Sequence, residues 1–266
     1  MSAPIVKYTG MTAGHSPLHL GATEFQTLLE RLGPSLALWR AAEIAALRRE
    51  TYEPPVLDLG CGDGIVASFV LARIDIGVDP CASAIRRAAT LSLYDRLEQH
   101  PIERAGVAPQ SIGTVISNSV LEHIQDLDSV LRATAQLLRP GGRLIFTTPT
   151  EAFSRWLALP LPAYRAWRNR HYQHHNLWPV ERWRQHLERA GFELIAAHTY
   201  LRRPLVTTWD ALELLQRIYL GRRRLFSLGW RRLPGSTLQR LARRAAALDL
   251  SAPAPGGGQL IVARKR

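Results

Sequence analysis

The chain has 266 residues, 46% hydrophobic and 21% charged, enough to bury one large core or one core with an appended subdomain. No run reaches the roughly 18 apolar residues that a membrane-spanning helix requires, no apolar stretch follows a basic start, and Cys61 and Cys81 are too few for a disulfide framework or a thiolate metal site. A cytoplasmic protein without a bound metal is therefore expected, with a charge that is unevenly placed: residues 1–150 hold 13 basic against 15 acidic side chains, residues 151–266 hold 21 against 7, and all the basic ones but Lys7 and Lys265 are arginine.

In chain order, Phe25, Leu28, Leu29, Leu32, Leu36, Leu38 and Trp39 precede a helix predicted over Ala41 to Arg49. Pro55 to Leu59 is a short apolar strand that runs into glycines, and Ile65 to Leu71 has helical character. A second strand is predicted at Ile74 to Asp79, a helix at Ala82 to Leu93, a weakly marked third strand at residues 98–102 and a fourth at Thr114 to Ser117. From Asp126 the apolar positions Leu127, Val130, Leu131, Ala135 and Leu138 keep a helical period until Pro140-Gly141-Gly142 stops it, and Arg143 to Thr148 is a fifth strand. Strands separated by helices favour parallel pairing with right-handed crossovers, so this half is predicted to be an α/β, doubly wound, Rossmann-like sheet that binds its ligand at the strands' carboxyl ends.

The stretch LDLGCGDG, residues 57–64, lies where the first strand meets the first helix. Glycines there permit a sharp turn and let a ligand approach the backbone and the amides at the helix start. A dinucleotide fingerprint would put a third glycine three positions beyond Gly62, but Ile65 stands there and the third glycine is Gly64. The pattern is D-x-G-x-G-x-G from Asp58, which removes the main support for hydride transfer.

VLDLGCGDG (56–64), GVDP (77–80), ISNSVLEHI (116–124) and LLRPGGRLIFTTP (137–149), in this order and spacing, resemble the class I S-adenosylmethionine-dependent methyltransferases, and within them the small-molecule branch that includes quinone-biosynthesis methyltransferases. The resemblance covers roughly residues 54–149. It implies a seven-stranded, mostly parallel sheet whose late strands are Phe192 to Tyr200 and Gln259 to Ala263, the last antiparallel. It further implies a helical lid at residues 1–50, a cofactor-binding core at 51–200, a helical insertion at 201–258 and a final core strand at 259–266.

The resemblance also implies S-adenosylmethionine as cofactor. Asp79, ahead of Pro80, would accept the ribose hydroxyls; Gly60, Cys61, Gly62 and Gly64 would cradle the methionine moiety, with Asp58 orienting it and its ammonium; Ser117 and Asn118 would border the sulfonium. A sulfonium methyl is already activated, so the protein need supply mainly alignment. One departure lies at the third strand's end, where many relatives carry an aspartate near the adenine. Here the sequence is HPIERAGVAPQSIG, with Pro101 or Ile102 at that place, and Glu103 or backbone amides remain as alternative adenine contacts.

Between the fifth and sixth strands, HYQHHN (171–176) precedes a helix predicted from Pro179 to Ala190. A histidine following the fifth strand can reach the methyl group, and His174 and His175 are the candidates to take a proton from an acceptor. No carboxylate or cysteine sits at metal-ligand spacing beside them, and no metal is expected. His123 of the LEH motif is expected to fix local structure. Tyr8, His15 and His19 of the lid, with Tyr172, are candidates to line the acceptor cavity.

The window 201–250 carries eleven arginines against three acids, interleaved with Trp209, Tyr219, Phe226 and Trp230. STLQRLARRAAALDL (236–250) is an amphipathic helix capped at Ser236 or Thr237, with Leu238, Leu241, Ala242 and Ala245 on one face and Arg240, Arg243 and Arg244 on another. It is either a lid over the substrate cavity or a peripheral contact with a membrane surface. Residues 252–258, APAPGGG, form a flexible connector. The favoured function is methylation, most simply of oxygen, on a small apolar or lipid-linked acceptor or secondary metabolite. A nucleic-acid (RNA) methyltransferase using the basic half is the alternative. It ranks lower because base-modifying relatives usually carry Asn or Asp followed by Pro-Pro and an aromatic where this chain has Ser117-Asn118-Ser119-Val120. A non-catalytic, partner-binding protein ranks third, against an intact glycine loop with Asp79.

Overall fold

The computed structural model describes residues 17–220, 223–230 and 232–266, so Tyr8 and His15 lie outside the described residues. Its centre is a seven-stranded sheet in the order β3-β2-β1-β4-β5-β9-β6: β1 Val56–Leu59, β2 Ile74–Val78, β3 Tyr94–Glu98, β4 Ile112–Asn118, β5 Leu138–Pro149, β6 Phe192–Tyr200 and β9 Gly258–Lys265. β1 to β5 pair in parallel, and β9 lies antiparallel between β5 and β6. A separate antiparallel pair joins β7 Tyr219–Leu220 to β8 Arg223–Arg224.

Side-chain alternation along the strands decides which helices cover which face. Val56, Ile74, Ile116, Ile145, Leu260 and Val262 point into one core, and Leu57, Val115, Leu144, Phe146, Ile261 and Ala263 into the other. The first core is closed by α1 Ala22–Leu32, α2 Pro34–Leu47, α3 Ile65–Val70, α9 Arg203–Gln216 and α11 Gly235–Ala246. The second is closed by α5 Leu127–Leu137 and α8 Val180–Arg189, through Val130, Leu131, Trp183 and Leu187. α4 Ala82–Ala88, α6 Glu151–Arg155, α7 Pro162–His171 and α10 Leu225–Trp230 complete the α-helices among the described residues.

α2 is buried almost throughout, including Ser35 and Glu43, because it lies between the sheet and α1 and α9. The N-terminal helices and the insertion thus form one layer, with α1 packed on α11 and α2 on α9. Pro34 starts α2 at its first turn, where its missing N–H costs nothing. α7 and α9 are joined by Arg168 and Asp210, an ion pair at 2.5 Å with both side chains fully buried. Asp210 Oδ2 also accepts from Tyr164 Oη and the Ala158 amide, each at 2.8 Å. Removing one member of such a pair strands the other charge, so Arg168→Met is expected to lower stability by about 3–5 kcal/mol, read from the urea midpoint.

Several boundaries differ from the sequence expectation, among them that of β5, which begins at Leu138 rather than Arg143 and runs through Pro140-Gly141-Gly142. The third strand is Tyr94–Glu98, not residues 98–102, where a 3-10 turn at Ile102–Arg104 follows instead. β3 pairs with β2 in the register Gly77↔Leu97, and Tyr94 and Leu97 fill the space where a side chain at Gly77 would stand. The helix from Ala82 ends at Ala88 and tightens into a 3-10 turn over Ala89–Leu91 before Ser92 adopts a left-handed φ of 50°. The helix predicted to begin at Ala41 begins at Pro34. α11 begins at Gly235 behind Pro234, so Ser236 and Thr237 lie inside its first turn and neither caps it.

Candidate active site

β1 ends at Leu59 and the chain turns through Gly60, Gly62 and Gly64 at φ of 70°, 57° and 75° before α3. These values lie in the left-handed region that only glycine enters without strain. A Cβ at Gly60 would stand 2.5 Å from Val120 Cγ2, so glycine there makes room for a neighbouring side chain rather than for a ligand, contrary to the sequence reading. Gly62 does face open space: its nearest neighbour to an added Cβ is the Gly60 carbonyl at 4.0 Å.

Asp79, just past β2, holds this turn. Its Oδ2 accepts from the Gly62 amide at 2.9 Å and its Oδ1 from the Cys81 amide at 2.8 Å. Asp58 is buried on β1, and its Oδ2 accepts from Tyr94 Oη at 2.7 Å. Burial pushes its carboxyl up to about 7, against the lowering by the Tyr94 hydrogen bond and with a further rise from the Asp79 charge. These groups border a crevice of about 510 Å³, walled on the other side by Leu32, Leu36 and Arg40 at the α1–α2 corner.

Of the residues expected at the cofactor, Asp58, Gly60, Cys61, Gly62, Asp79, Pro80 and Asn118 line this crevice. Gly64 stands behind the turn as the N-cap of α3. Ser117 is fully buried and donates to the Leu59 carbonyl at 2.9 Å, tying β4 to β1 outside the crevice wall. At the third strand's end His100, Pro101, Ile102 and Glu103 all reach the crevice.

A smaller chamber of about 110 Å³ adjoins the crevice, and Leu36, Arg40, Ser119 and His123 line both. Its other walls are mostly aromatic. Trp39, Phe153 and Trp209 meet with ring centroids 5.2–5.3 Å apart, and Tyr172 stacks on His174 at 5.5 Å. The Tyr172 hydroxyl donates to Glu213 Oε2 at 2.9 Å, and burial pushes it up to about 12. The Arg168 guanidinium sits behind the chamber, 4.7 Å from the Tyr172 ring and 5.3 Å from that of Trp209.

The polar groups of the chamber are arranged in two sets. Glu43, fully buried on α2, accepts from Trp39 Nε1 at 2.8 Å, Ser119 Oγ at 2.5 Å and Arg40 Nη1 at 2.6 Å. Glu122 is buried in the 3-10 turn Leu121–His123, and burial pushes it up to about 8. His174 is pushed down to about 3 by burial and by the nearby His123 and Arg168, so its imidazole is neutral at physiological pH. His175 is exposed, and its amide donates to the Glu122 carbonyl at 2.8 Å. His19 is also exposed, 2.9 Å from the Leu248 carbonyl, and neither histidine lines the crevice or the chamber.

Little local in the sequence marks Trp39, Arg40, Glu43, Glu122, Phe153 and Trp209 as site residues; Trp39 and Trp209 stand there in apolar and aromatic runs. They come from α2, α6, α9 and the turn after β4, and only folding brings them together. The one local signal was the adjacency of Glu122 and His123 to the end of β4.

A parallel sheet with a glycine turn after its first strand, an acidic residue after its second and an antiparallel β9 defines a class I S-adenosylmethionine-dependent methyltransferase. A model of the methyltransferase domain matches residues 24–197, and the chain belongs to that family. The ubiquinone biosynthesis O-methyltransferase of Yersinia pestis is 34% identical over 113 residues, 40% of this chain and 47% of that one, so the chain spans about half the length of the curated relatives it matches. An S-adenosylmethionine-dependent methyltransferase from Thermotoga maritima superposes with a TM-score of 0.57 at 15% identity, over 91% of this chain and 100% of that one. Phosphoethanolamine N-methyltransferase 2 of Haemonchus contortus, in complex with S-adenosylmethionine, superposes with a TM-score of 0.53 at 16% identity, over 91% of this chain and 60% of that one.

The crevice fits that cofactor on its own terms. Gly62 leaves an open cradle beside the turn, Asp79 has both oxygens held by amides with lone pairs to spare, and Asp58 offers a buried carboxylate beside them.

Proposed function

We propose that the protein methylates a hydroxyl oxygen of a small apolar or lipid-linked acceptor held in the aromatic chamber. One observation carries the reading: Leu36, Arg40, Ser119 and His123 are walls of both the cofactor crevice and the chamber, so two ligands seated there share a boundary. A chamber of about 110 Å³ walled by Trp39, Phe153, Tyr172 and Trp209 is on the scale of a single ring, with continuation into the crevice. The likeness to the ubiquinone biosynthesis O-methyltransferase of Yersinia pestis supports oxygen as the methylated atom.

Asp79 is proposed to hold the cofactor's ribose and Asp58 its ammonium. S-adenosylmethionine supplies an activated methyl group, so the side chains need to position the acceptor, exclude water and receive the hydroxyl hydrogen. His174 is the one of the two candidate histidines that lines the chamber, and its neutral ring is proposed to accept the hydroxyl's hydrogen bond. A group held near 3 is a weak base, so its part is to aim the oxygen more than to retain the proton.

The test is transfer of radiolabelled methyl from S-adenosylmethionine to fractionated extracts. Label is expected in apolar, hydroxyl-bearing compounds. Label confined to RNA would replace this reading by the nucleic-acid one, and label confined to polar amines would move the methylated atom to nitrogen.

Contact with a membrane surface through residues 201–250 belongs to the same proposal. On α11 Leu238 and Ala242 are buried while Arg240, Arg243, Arg244 and Leu241 are exposed, and Leu215, Ile218 and Leu248 are exposed apolar side chains of the same insertion. Each arginine near an anionic surface contributes about 1 kcal/mol, so changing Arg240, Arg243 and Arg244 to glutamate is expected to weaken flotation with anionic liposomes at least about tenfold. Unchanged flotation would remove the membrane from the proposal.

A further inference from the structure

The segment after α7 folds back onto the turn after β4 and is fastened there. The amides of His175 and Asn176 donate to the Glu122 carbonyl at 2.8 and 3.1 Å, and Asn176 Nδ2 donates to the carbonyls of Leu121 and Ile124 at 2.8 and 2.7 Å. This lays the His174 ring beside His123, with centroids 5.2 Å apart. His123 Nδ1 lies 3.3 Å from the Gln173 carbonyl, which can only accept, so that nitrogen carries the hydrogen and Nε2 keeps its lone pair. Nε2 in turn lies 3.8 Å from Glu122 Oε1.

Two atoms at this place lack any partner although both are buried: Glu122 Oε2 and His174 Nδ1. Glu122 itself is 1% exposed, and such groups are almost always satisfied in native proteins. The nearby Arg40 guanidinium is engaged by Glu43, whose oxygens also take Trp39 and Ser119, so Glu122 has only the more distant Arg40 charge and a share in the Ser119 hydroxyl, and its Oε2 keeps no hydrogen bond. Among the described residues, ligand atoms of Glu122, His123 and His174 all lie within 4.8 Å of one another. Two imidazoles and one carboxylate are a donor set for zinc, iron, cobalt or manganese, and a backbone carbonyl behind one imidazole is the usual outer support. Bonds of about 2.0–2.2 Å require the three side chains to close by about 1 Å, within the reach of small rotations.

We propose that Glu122, His123 and His174 form a site for one divalent transition-metal ion, with its remaining coordination positions open to the aromatic chamber. The ion's role rests on the reading of that chamber as the acceptor's seat: an acceptor hydroxyl oxygen would occupy an open position in place of its hydrogen bond to His174 and would release its proton to solvent water there, before the oxygen takes the methyl group. The existence of the site does not rest on that reading and is tested on the protein alone.

The full chain, stripped with a chelator and dialysed, is titrated with Co²⁺ by calorimetry and visible absorption. One equivalent is expected to bind with the ligand-field bands of a nitrogen and oxygen site. His174→Ala and Glu122→Gln are each expected to weaken this binding at least tenfold and to change the bands, while S-adenosylmethionine affinity stays within about twofold, which shows that the variants fold. His174 is half-buried, so its variant remains informative if Glu122→Gln does not fold. Absence of saturable Co²⁺ binding in the wild-type protein, or equal binding in His174→Ala, overturns the site. With an acceptor in hand, chelation is expected to slow methyl transfer at least tenfold and Mn²⁺ or Zn²⁺ to restore it. Full activity in chelator overturns the ion's role, whereas absence of any hydroxyl methylation by a cobalt-binding protein counts against the acceptor reading instead.

Discussion

Asp79→Ala is expected to weaken S-adenosylmethionine binding at least about hundredfold in calorimetry, with a cooperative but slightly lowered thermal transition. The two effects have separate origins. Hydrogen bonds from a pair of hydroxyls to an ionised carboxylate are worth about 1.5–3 kcal/mol each, and alanine removes both. The carboxylate also accepts from the Gly62 and Cys81 amides, so the glycine turn and the start of α4 lose a tie of about 1–2 kcal/mol together. Asp79→Asn keeps an acceptor for one amide and is expected to fall between. Unchanged affinity in the alanine variant would refute the ribose assignment.

The second large effect is expected at Asp58, and it opposes stability to binding. Its carboxyl is held at about 7, well above its ordinary value, chiefly by burial. A carboxyl raised in the folded state costs almost nothing below about pH 3, where it is protonated in both folded and unfolded chains; the cost accumulates as pH rises through the unfolded value and is complete above about 7. Asp58→Asn has no charge to bury and can still accept from Tyr94. It is expected to match the wild-type protein at about pH 3 and to exceed it by about 2–4 kcal/mol at pH 8, read from urea unfolding without cofactor. If the cofactor's ammonium pairs with the Asp58 carboxylate, the same variant binds S-adenosylmethionine at least about tenfold more weakly at pH 8. Wild-type affinity then rises with pH up to about 7, and the variant lacks that rise. A variant that is no more stable at pH 8 would show that burial does not raise the Asp58 carboxyl.

The parts of the molecule that were legible in the sequence are those decided by neighbours in the chain. The glycine turn, Asp79 and the apolar strands β1, β4 and β5 each carry their signal within a few residues. β3 was misplaced because YDRLE is a half-exposed edge strand with no apolar run, and its one clue, the room that Gly77 leaves for Tyr94 and Leu97, is a contact across strands. The crevice was legible for the same reason as β1 and β2, since its floor is their carboxyl ends. The chamber was not: Trp39, Phe153 and Trp209 lie on three helices more than a hundred residues apart in pairwise extremes, and no periodicity distinguishes a wall residue from a core residue. His174 and His175 are adjacent and equivalent in the sequence, and only the clamp of His175 and Asn176 on Glu122 decides which ring faces inward.

α2 carries Leu36 and Arg40, which border both the crevice and the chamber proposed for the acceptor, on a buried helix whose Glu43 is fastened to Ser119 beyond β4. A rigid body that touches two ligands cannot settle around one of them without altering the other's reception. Thermodynamic reciprocity then requires that whatever factor the acceptor contributes to retention of S-adenosylhomocysteine, the spent cofactor contributes to retention of the acceptor. Equilibrium titrations of each in the presence of the other should yield the same cooperativity factor, and weakening the Glu43–Ser119 fastening should drive that factor toward unity.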